Sequence, residues 1–396
     1  MNKSWLNQTS GALPAIEIAY VGRAMGAKSL IQRRLSGLND VFGGAEQGRK
    51  VSGRRAEWLL AGTSALSVLI VAAAGELALR ATRPAFLRHT YADHPHVYSE
   101  TCGWELRRGA RYEGRDGEII TVNRLGYRGP EHAASRHPGI RRVVMLGDSV
   151  TFGTGVSDGE TFSDRLEAAA AYEVVNLGVD GYGTDQELIR FENEGFSYRP
   201  DDVVLNFCVR NDYIDNALPV ALYDGVSPKP YFTLDDDRLV RHDAHLKIGR
   251  ATRAAVALRE ESYLVNALLR LGGGPPPMPG AAGDEADWGD RRAAVERDFP
   301  HAVALTRRLV GRIAAQCRRC GARFLVVLDP DRRAFAGDSA LITPLQGLNG
   351  VRVVDLRLEY RARGLRYEDL TLDRLGHLNP AGHVAAAAIL RTLLEQ

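Results

Sequence analysis

The order of apolar and polar segments predicts a three-layer α/β/α domain of flavodoxin-like character with a parallel sheet, preceded by one transmembrane helix. Three observations carry this prediction. From residue 141 onward, apolar runs that suit buried strands alternate with stretches of helical periodicity. The chain ends on a helical pattern at 381–396, and an uncharged apolar run at 58–75 precedes the whole region. Alternation of this kind is typical of a parallel sheet covered by helices on both faces.

The elements follow one another at regular spacing after residue 140. Short runs rich in valine, leucine and phenylalanine predict the strands, and longer amphipathic runs predict the helices. The predicted strands are 141–147, 172–179, 201–209, 322–330 and 351–356, and the predicted helices are 160–170, 185–198, 301–319 and 381–396. Before them, residues 98–128 contain short β-like stretches broken by glycine, which predict a small hairpin leading into the domain.

The alternation is interrupted between residues 213 and 299, which we interpret as an insertion that could cap the sheet. It contains a possible hairpin at 229–241 and a predicted helix at 245–271. A Gly/Pro-rich loop follows at 271–290.

The apolar run at 58–75 predicts a membrane anchor. About twenty apolar residues at ~1.5 Å rise span a bilayer core. Basic residues are slightly more frequent before the run than after it, which favours a cytoplasmic N-terminus and an outer, periplasmic catalytic domain. We therefore expect a poorly ordered tail at 1–56, a transmembrane helix at 57–80, a β-like lead-in at 81–138 and the catalytic domain at 139–396. A buried helix of a soluble protein is the alternative for 58–75.

Composition excludes some classes of function. The formal net charge of +2 provides no electrostatic footprint for nucleic acid. Four cysteines are too few for a disulfide scaffold, although Cys317 and Cys320 could pair in an oxidising compartment. No zinc-binding spacing accompanies them, so no metal and no cofactor are expected.

A serine and a histidine stand where a nucleophile and its base would be expected. Ser149 follows the strand 141–147, at the edge of a parallel sheet where ligands bind. An N-cap serine is the structural alternative. His377 precedes the last helix, and Asp373 is near enough to orient its ring. His383 competes for the role of base, but it falls within the helix.

Two further positions could stabilise an oxyanion. Gly181 follows the second strand, and its backbone N–H is open to close approach. Asn211 follows the third strand, and its side-chain amide is a second donor. In isolation, a turn glycine and an Asx-turn asparagine explain these residues better than a role in catalysis does.

Taken in order, these blocks resemble the SGNH (GDSL-type) hydrolases. The residues that carry the resemblance are NRLGYRG at 123–129, GDSVTFG at 147–153, NLGVDG at 176–181, GYGTDQE at 181–187, RND at 210–212 and HLNPAGH at 377–383. The chain is most similar to the membrane-anchored bacterial members. The resemblance implies Ser149 as nucleophile, His377 as base and Asp373 as acid. It also implies an oxyanion hole formed by the Ser149 N–H, Gly181 and Asn211.

Two departures from the family pattern concern the site. The family spaces its acid and base as Asp-x-x-His, whereas Asp373 is four residues before His377; Asp369 is the fallback acid. The family has a glycine two residues before the asparagine, and Val209 stands there instead.

The resemblance implies a serine esterase that hydrolyses short-chain acyl esters, and the expected outer location suggests O-acetyl groups on envelope or exported glycans as the substrate. The expected partners are the acylated small molecule or glycan and, through one helix, the membrane. A polysaccharide O-acetyltransferase using the same residues is a close alternative. A non-catalytic glycan-binding assembly factor is an alternative from another class, and lipid or thioester hydrolysis is a further option.

Overall fold

The protein is described from a computed structural model that covers residues 53–87, 90–114, 117–133, 135, 137–169, 172–272 and 289–396. The predicted tail, up to residue 52, lies outside the described residues. The chain divides into two compact units, Met1–Val71 and Ala72–Gln396.

The first described element is the helix α1, Gly53–Thr82, which begins in the first unit and ends in the second. It contains the predicted span 57–80. An 18-residue window within Ala56–Thr82 has a mean hydropathy of 1.8, and by length and composition α1 alone among the described helices could cross a membrane. Its apolar side chains, such as Trp58 and Leu69, are exposed.

The centre of the second unit is a five-stranded parallel sheet. Its strands are β5 Arg141–Gly147, β6 Tyr172–Asn176, β7 Asp202–Cys208, β10 Arg323–Asp329 and β11 Arg352–Asp355. They are arranged in the order β6-β5-β7-β10-β11. Numbered along the chain this order is 2-1-3-4-5, which is that of flavodoxin-like folds. The predicted fold class is therefore confirmed.

Side chains of successive strand residues enter two separate cores, one on each face of the sheet. Val144 and Leu146 of β5 pack with helices α4 Thr184–Asn193 and α9 Phe299–Cys320. Val143 and Met145 pack instead with α3 Phe162–Ala168, α11 Leu356–Ala362 and α13 Pro380–Glu395. Helices thus cover both faces, which gives the three layers.

Two small antiparallel hairpins precede the sheet, where the sequence predicted one. The first joins β1 His96–Ser99 to β2 Gly103–Leu106, and the second joins β3 Arg111–Glu113 to β4 Ile119–Thr121. Trp104 of β2 belongs to the same core as the sheet. The remaining short helices are α2 Ser149–Phe152, α5 Asp212–Asp215, α8 Gly289–Glu296, α10 Arg332–Ala336 and α12 Tyr367–Leu370.

The insertion contains the expected hairpin, β8 Tyr231–Asp235 and β9 Arg238–His242. The prediction of one helix over 245–271 is wrong. Two helices form, α6 Arg250–Glu261 and α7 Tyr263–Leu271, because Ser262 adopts extended backbone angles and caps α7 through its hydroxyl. Both pack on the lead-in around Tyr91–Asp93. Most of the Gly/Pro-rich loop, 273–288, lies outside the described residues.

Candidate active site

The strand β5 ends at Gly147, two residues before the candidate nucleophile Ser149. Gly147 has a φ of 155°, and a Cβ there would lie 2.1 Å from Oγ1 of Thr151, so only glycine fits this sharp strand-to-helix turn. Asp148 caps the following helix, since its Oδ1 accepts the N–H of Val150 at 2.9 Å. Ser149 is therefore the first residue of α2, at the carboxyl edge of the sheet.

Three side chains form a continuous hydrogen-bonded chain at this edge. Oγ of Ser149 lies 3.0 Å from Nε2 of His377. Nδ1 of the same ring lies 2.7 Å from Oδ2 of Asp373. The second carboxylate oxygen of Asp373 accepts the backbone N–H of His377 at 3.2 Å. The arrangement can take a proton from the serine hydroxyl and stabilise the imidazolium that results.

A tight loop accommodates the additional residue between Asp373 and His377. Leu372 donates its N–H to the carbonyl of His377 at 2.7 Å, and Thr371 pairs with Leu378 as an isolated bridge. Gly376 closes the turn with a φ of 83°. The chain reverses within these residues, so Asp373 faces the ring although it is four residues away.

The electrostatic surroundings of His377 favour its protonated form. Burial would lower its pKa, but the hydrogen bond and charge of Asp373, with the charges of Asp180 and Asp148, outweigh burial and raise the pKa of His377. Burial would raise the pKa of Asp373, and the hydrogen bond and charge of His377 lower it instead. Asp373 is thus held ionised beside the ring.

Two backbone amides are available beside the serine. In the described part of the chain, the N–H groups of Ser149 and Gly181 donate to no protein group. Gly181 has a φ of 73°, and a Cβ at this position would lie 2.4 Å from Cε1 of Tyr223. The ring of Tyr223, from the insertion, therefore lies directly against this glycine. Trp104 packs edge-to-face on Tyr223, with the ring centroids 5.8 Å apart.

The side-chain amide of Asn211 lies among three carboxylates. Its Nδ2 lies 3.1 Å from Oδ2 of Asp148, 3.0 Å from Oδ2 of Asp215 and 3.3 Å from Oδ1 of Asp212. An amide nitrogen has two hydrogens, and carboxylates provide acceptors for both. In this arrangement the amide of Asn211 is therefore engaged with acidic neighbours.

The carboxylates around Asn211 belong to a buried acidic cluster that the sequence did not reveal. It contains one cation, Lys229, which pairs with Asp185, and both side chains are fully buried. The acidic members are Asp148, Asp185, Glu187, Asp212 and Asp215. Burial and mutual repulsion raise the pKa of Glu187 and Asp212 well above their usual range. Burial raises the pKa of Asp215 to about 7. The cluster therefore holds protons at neutral pH.

The rim of the site was also missed, because its residues come from distant parts of the sequence. Asp180 accepts the indole N–H of Trp104 through its backbone carbonyl at 2.9 Å and the hydroxyl of Thr154 through its carboxylate. His96 of β1 lies 3.8 Å from the same carboxylate. The lead-in hairpin thus contributes an aromatic and a polar side chain next to Gly181.

The alternative site residues are placed elsewhere. His383 is buried within α13, where its Nδ1 accepts the N–H of Phe162 at 3.0 Å. Burial lowers the pKa of His383 to about 3, so it stays neutral. Asp369 pairs with Arg366 at 2.7 Å. Val209 directs its side chain into the core on the α4 and α9 face rather than into a pocket.

The cysteines form no disulfide. Cys102, Cys208 and Cys317 are buried thiols, and Cys320 is an exposed thiol. Within the described ranges, no group of three or more His, Cys, Asp or Glu residues is arranged to hold a metal ion.

No model of a known protein family matches the sequence, and no curated protein matches it either. Several solved structures are similar to it. A two-domain esterase active on acetylated mannans, co-crystallised with mannopentaose, shares 13% identity over 65% of this chain and 49% of its own, with a TM-score of 0.34. The acetyl xylan esterase AlAXEase shares 16% identity over 64% of this chain and 98% of its own, with a TM-score of 0.33.

A catalytic mutant of Axe2, an acetylxylan esterase from Geobacillus stearothermophilus, shares 13% identity over 63% of this chain and 93% of its own, with a TM-score of 0.35. This chain therefore spans about half the length of the mannan esterase and nearly all of the two xylan esterases. An assignment of activity depends on the geometry of the site itself.

Proposed function

We propose that this protein is a serine esterase of the SGNH class that removes short acyl groups, O-acetyl groups above all, from glycans. The observation that carries the proposal is the hydrogen-bonded chain from Ser149 through His377 to Asp373 at the carboxyl edge of the sheet. A serine hydroxyl is a weak nucleophile until a base takes its proton, and this chain supplies the base and its orienting acid.

In the proposed mechanism, Oγ of Ser149 attacks the ester carbonyl while Nε2 of His377 takes the hydroxyl proton. The N–H groups of Ser149 and Gly181 stabilise the oxyanion of the tetrahedral intermediate. His377 then protonates the departing sugar oxygen, and an acyl-serine remains. Water, deprotonated by His377, attacks this ester, and collapse of the second intermediate releases the carboxylic acid and the free serine.

The preference for a short acyl group rests on the walls beside Gly181. Tyr223 lies against its Cα, and Trp104 packs on Tyr223, so little space is left for a long acyl chain on this side. The polar rim of Asp180 and Thr154 suits a hydroxyl-rich alcohol such as a sugar. One of the similar structures is an esterase active on acetylated mannans, and another is named an acetyl xylan esterase. Both descriptions agree with this class of substrate.

We further propose that α1 anchors the enzyme in the membrane, with the catalytic domain on the outer side. The apolar length of α1 supports the anchor. The slight excess of basic residues before it supports the orientation.

The full-length protein in lipid nanodiscs should react covalently with a fluorophosphonate probe. Ser149→Ala and His377→Ala should abolish labelling, while Ser339→Ala, which changes an exposed serine elsewhere, should label like the wild type. Labelling that survives in folded Ser149→Ala would overturn the assignment of the nucleophile.

The same preparation separates an esterase from an acetyltransferase. An acetyl donor is supplied with and without a glycan acceptor, and free acetate and acetylated glycan are both measured. An esterase releases acetate whether or not the acceptor is present. If adding the acceptor lowers the release of acetate and acetylated glycan forms in its place, the enzyme is a transferase.

A further inference from the structure

The helix α7, Tyr263–Leu271, exposes a row of leucines on one side. Leu264, Leu268 and Leu271 recur at the spacing of one helix face, and Leu268 and Leu271 are 59% and 81% exposed. The adjoining face, with Tyr263 and Ala267, is buried against Leu79, Leu87 and Ala92. The apolar surface of α7 is therefore wider than the part that the described residues cover.

The position of α7 is set by the last turns of α1. The carboxylate of Glu76 accepts the N–H of Leu264 at 2.8 Å and that of Tyr263 at 3.1 Å, and it also accepts the hydroxyl of Ser262 at 2.8 Å. These bonds satisfy the first amides of α7 and place a negative charge at its N-terminus. Leu264 also lies next to Gly75 of α1.

This junction coincides with the end of the apolar part of α1. Arg80 pairs with Glu76 at 2.7 Å and lies 5.7 Å from the centre of the Tyr263 ring. In the proposed anchor, a carboxylate paired with an arginine and bound by three donors belongs at the boundary between hydrocarbon and water. Leu264 of α7, which lies next to Gly75, and the 67% exposed Leu77 are found at this same junction.

The surroundings of the leucines suit a lipid surface. The preceding helix α6 exposes Leu258 to 59%, and Arg270, one residue before Leu271, is exposed on α7 itself. Apolar side chains bordered by arginines are typical of helices that lie in the headgroup region of a bilayer.

We propose that α7 lies in the interface of the same bilayer that α1 crosses, with Leu268 and Leu271 inserted among the lipid chains. This inference rests on the membrane anchor proposed above. Its consequence is a second attachment, since α7 belongs to the same unit as the catalytic domain. A domain held by a tether and an interfacial helix keeps its site at a fixed height above the membrane.

Spin labels on the full-length protein in nanodiscs test this placement. A Cys320→Ser background leaves no exposed cysteine, because the other three are buried. Single labels are introduced by Leu268→Cys and Leu271→Cys, with Leu358→Cys as the control for an exposed leucine on α11 and Leu66→Cys as the control within α1. Each label is exposed to oxygen, which concentrates in lipid, and to a water-soluble nickel chelate.

We expect labels at 268 and 271 to collide with oxygen and to be shielded from nickel, as the label at 66 is, whereas the label at 358 meets nickel freely. Nickel access at 268 and 271 equal to that at 358 would overturn the inference. Shielding from both reagents would overturn it too, because protein would then cover the leucines. If nickel also reaches the label at 66, the proposed membrane anchor is wrong. If the label at 66 is in lipid but the labels at 268 and 271 are in water, the anchor stands and only the interfacial placement of α7 is wrong.

Discussion

Oδ2 of Asp373 lies 2.7 Å from Nδ1 of His377, although three residues of chain separate the two along a tight turn. The bond fixes the tautomer in which Nε2 faces Ser149 as an acceptor. Asp373→Asn should therefore lower kcat by about 10²- to 10⁴-fold without unfolding the protein.

Asp369→Asn is the matched control for this change. It removes a carboxylate from the same region, but one that pairs with Arg366 at the surface. Its kcat and its melting temperature should stay close to those of the wild type, because solvent screens an ion pair at the surface. Steady-state kinetics on an acetyl ester check both variants. A larger loss from Asp369→Asn than from Asp373→Asn would contradict the assignment of the acid.

The raised pKa of His377 predicts the acid side of the pH–rate profile. Only the neutral ring can take the proton of Ser149, so activity is lost as the pH falls through the pKa of His377. Because Asp373, Asp180 and Asp148 raise that pKa, the midpoint of kcat/KM should lie above ~6.5, the ordinary value for histidine.

In Asp373→Asn the largest stabilising charge is gone and burial dominates, so the acid midpoint should move to lower pH even as the rate falls. Profiles of kcat/KM against pH for the two proteins test this. An acid midpoint that moves upward in Asp373→Asn would show that another group controls the limb.

The sheet could be predicted from the sequence because parallel strands buried on both faces are written as continuous apolar runs. The strand β5 and the helix α13 coincide with their predicted segments almost residue for residue. The break between α6 and α7 could not be predicted, because the helical pattern runs through Ser262. The carboxylate that stabilises the break, Glu76, is 186 residues away along the chain.

The candidate site divides in the same way. Ser149 and His377 stand at a strand end and before a helix, which local patterns reveal. The partners of Asn211 include Asp148, 63 residues earlier, and the charge of Asp185 is balanced by Lys229 from the insertion. Such pairs are brought together by the tertiary fold and not by local sequence. The sequence therefore suggests which side chains react, but not which side chains hydrogen-bond to them and fix their positions.

The buried acidic cluster predicts a stability that falls with pH. Burial raises the pKa of Asp215 from an ordinary ~3.9 to about 7, so the folded protein holds a proton there that the unfolded chain has lost. This contribution is fully present below pH ~4 and is lost as the pH rises through 7. The melting temperature should therefore decline over this range.

Asp215→Asn keeps the shape and the acceptor oxygen for Asn211 but cannot ionise. It should raise the free energy of unfolding at pH 8 by about 2–4 kcal/mol and flatten the pH dependence. Asp235→Asn, at an exposed position of β8, should change neither. Thermal melts between pH 5 and 8 make the comparison. A destabilised Asp215→Asn at pH 8 would mean that the ionised carboxylate is needed by the fold.

The contact between Tyr223 and Gly181 predicts how the acyl preference can be changed. Removing the ring opens space beside the proposed oxyanion site. A Cβ on Gly181 would lie only 2.4 Å from Cε1 of Tyr223, so the ring fills the space next to this glycine. Tyr223→Ala should raise the ratio of kcat/KM for butyryl over acetyl esters by at least about tenfold, since each added methylene is worth up to a few kcal/mol in an apolar pocket.

Val226→Ala controls for changes in the same loop, because the side chain of Val226 is 61% exposed and is not among the atoms nearest Gly181. Its acyl preference should equal that of the wild type. Rates with p-nitrophenyl acetate, butyrate and octanoate measure both variants. If Tyr223→Ala lowers all three rates in proportion, the ring positions Gly181 for catalysis instead of limiting the acyl chain, and the proposed short-chain preference loses its structural basis.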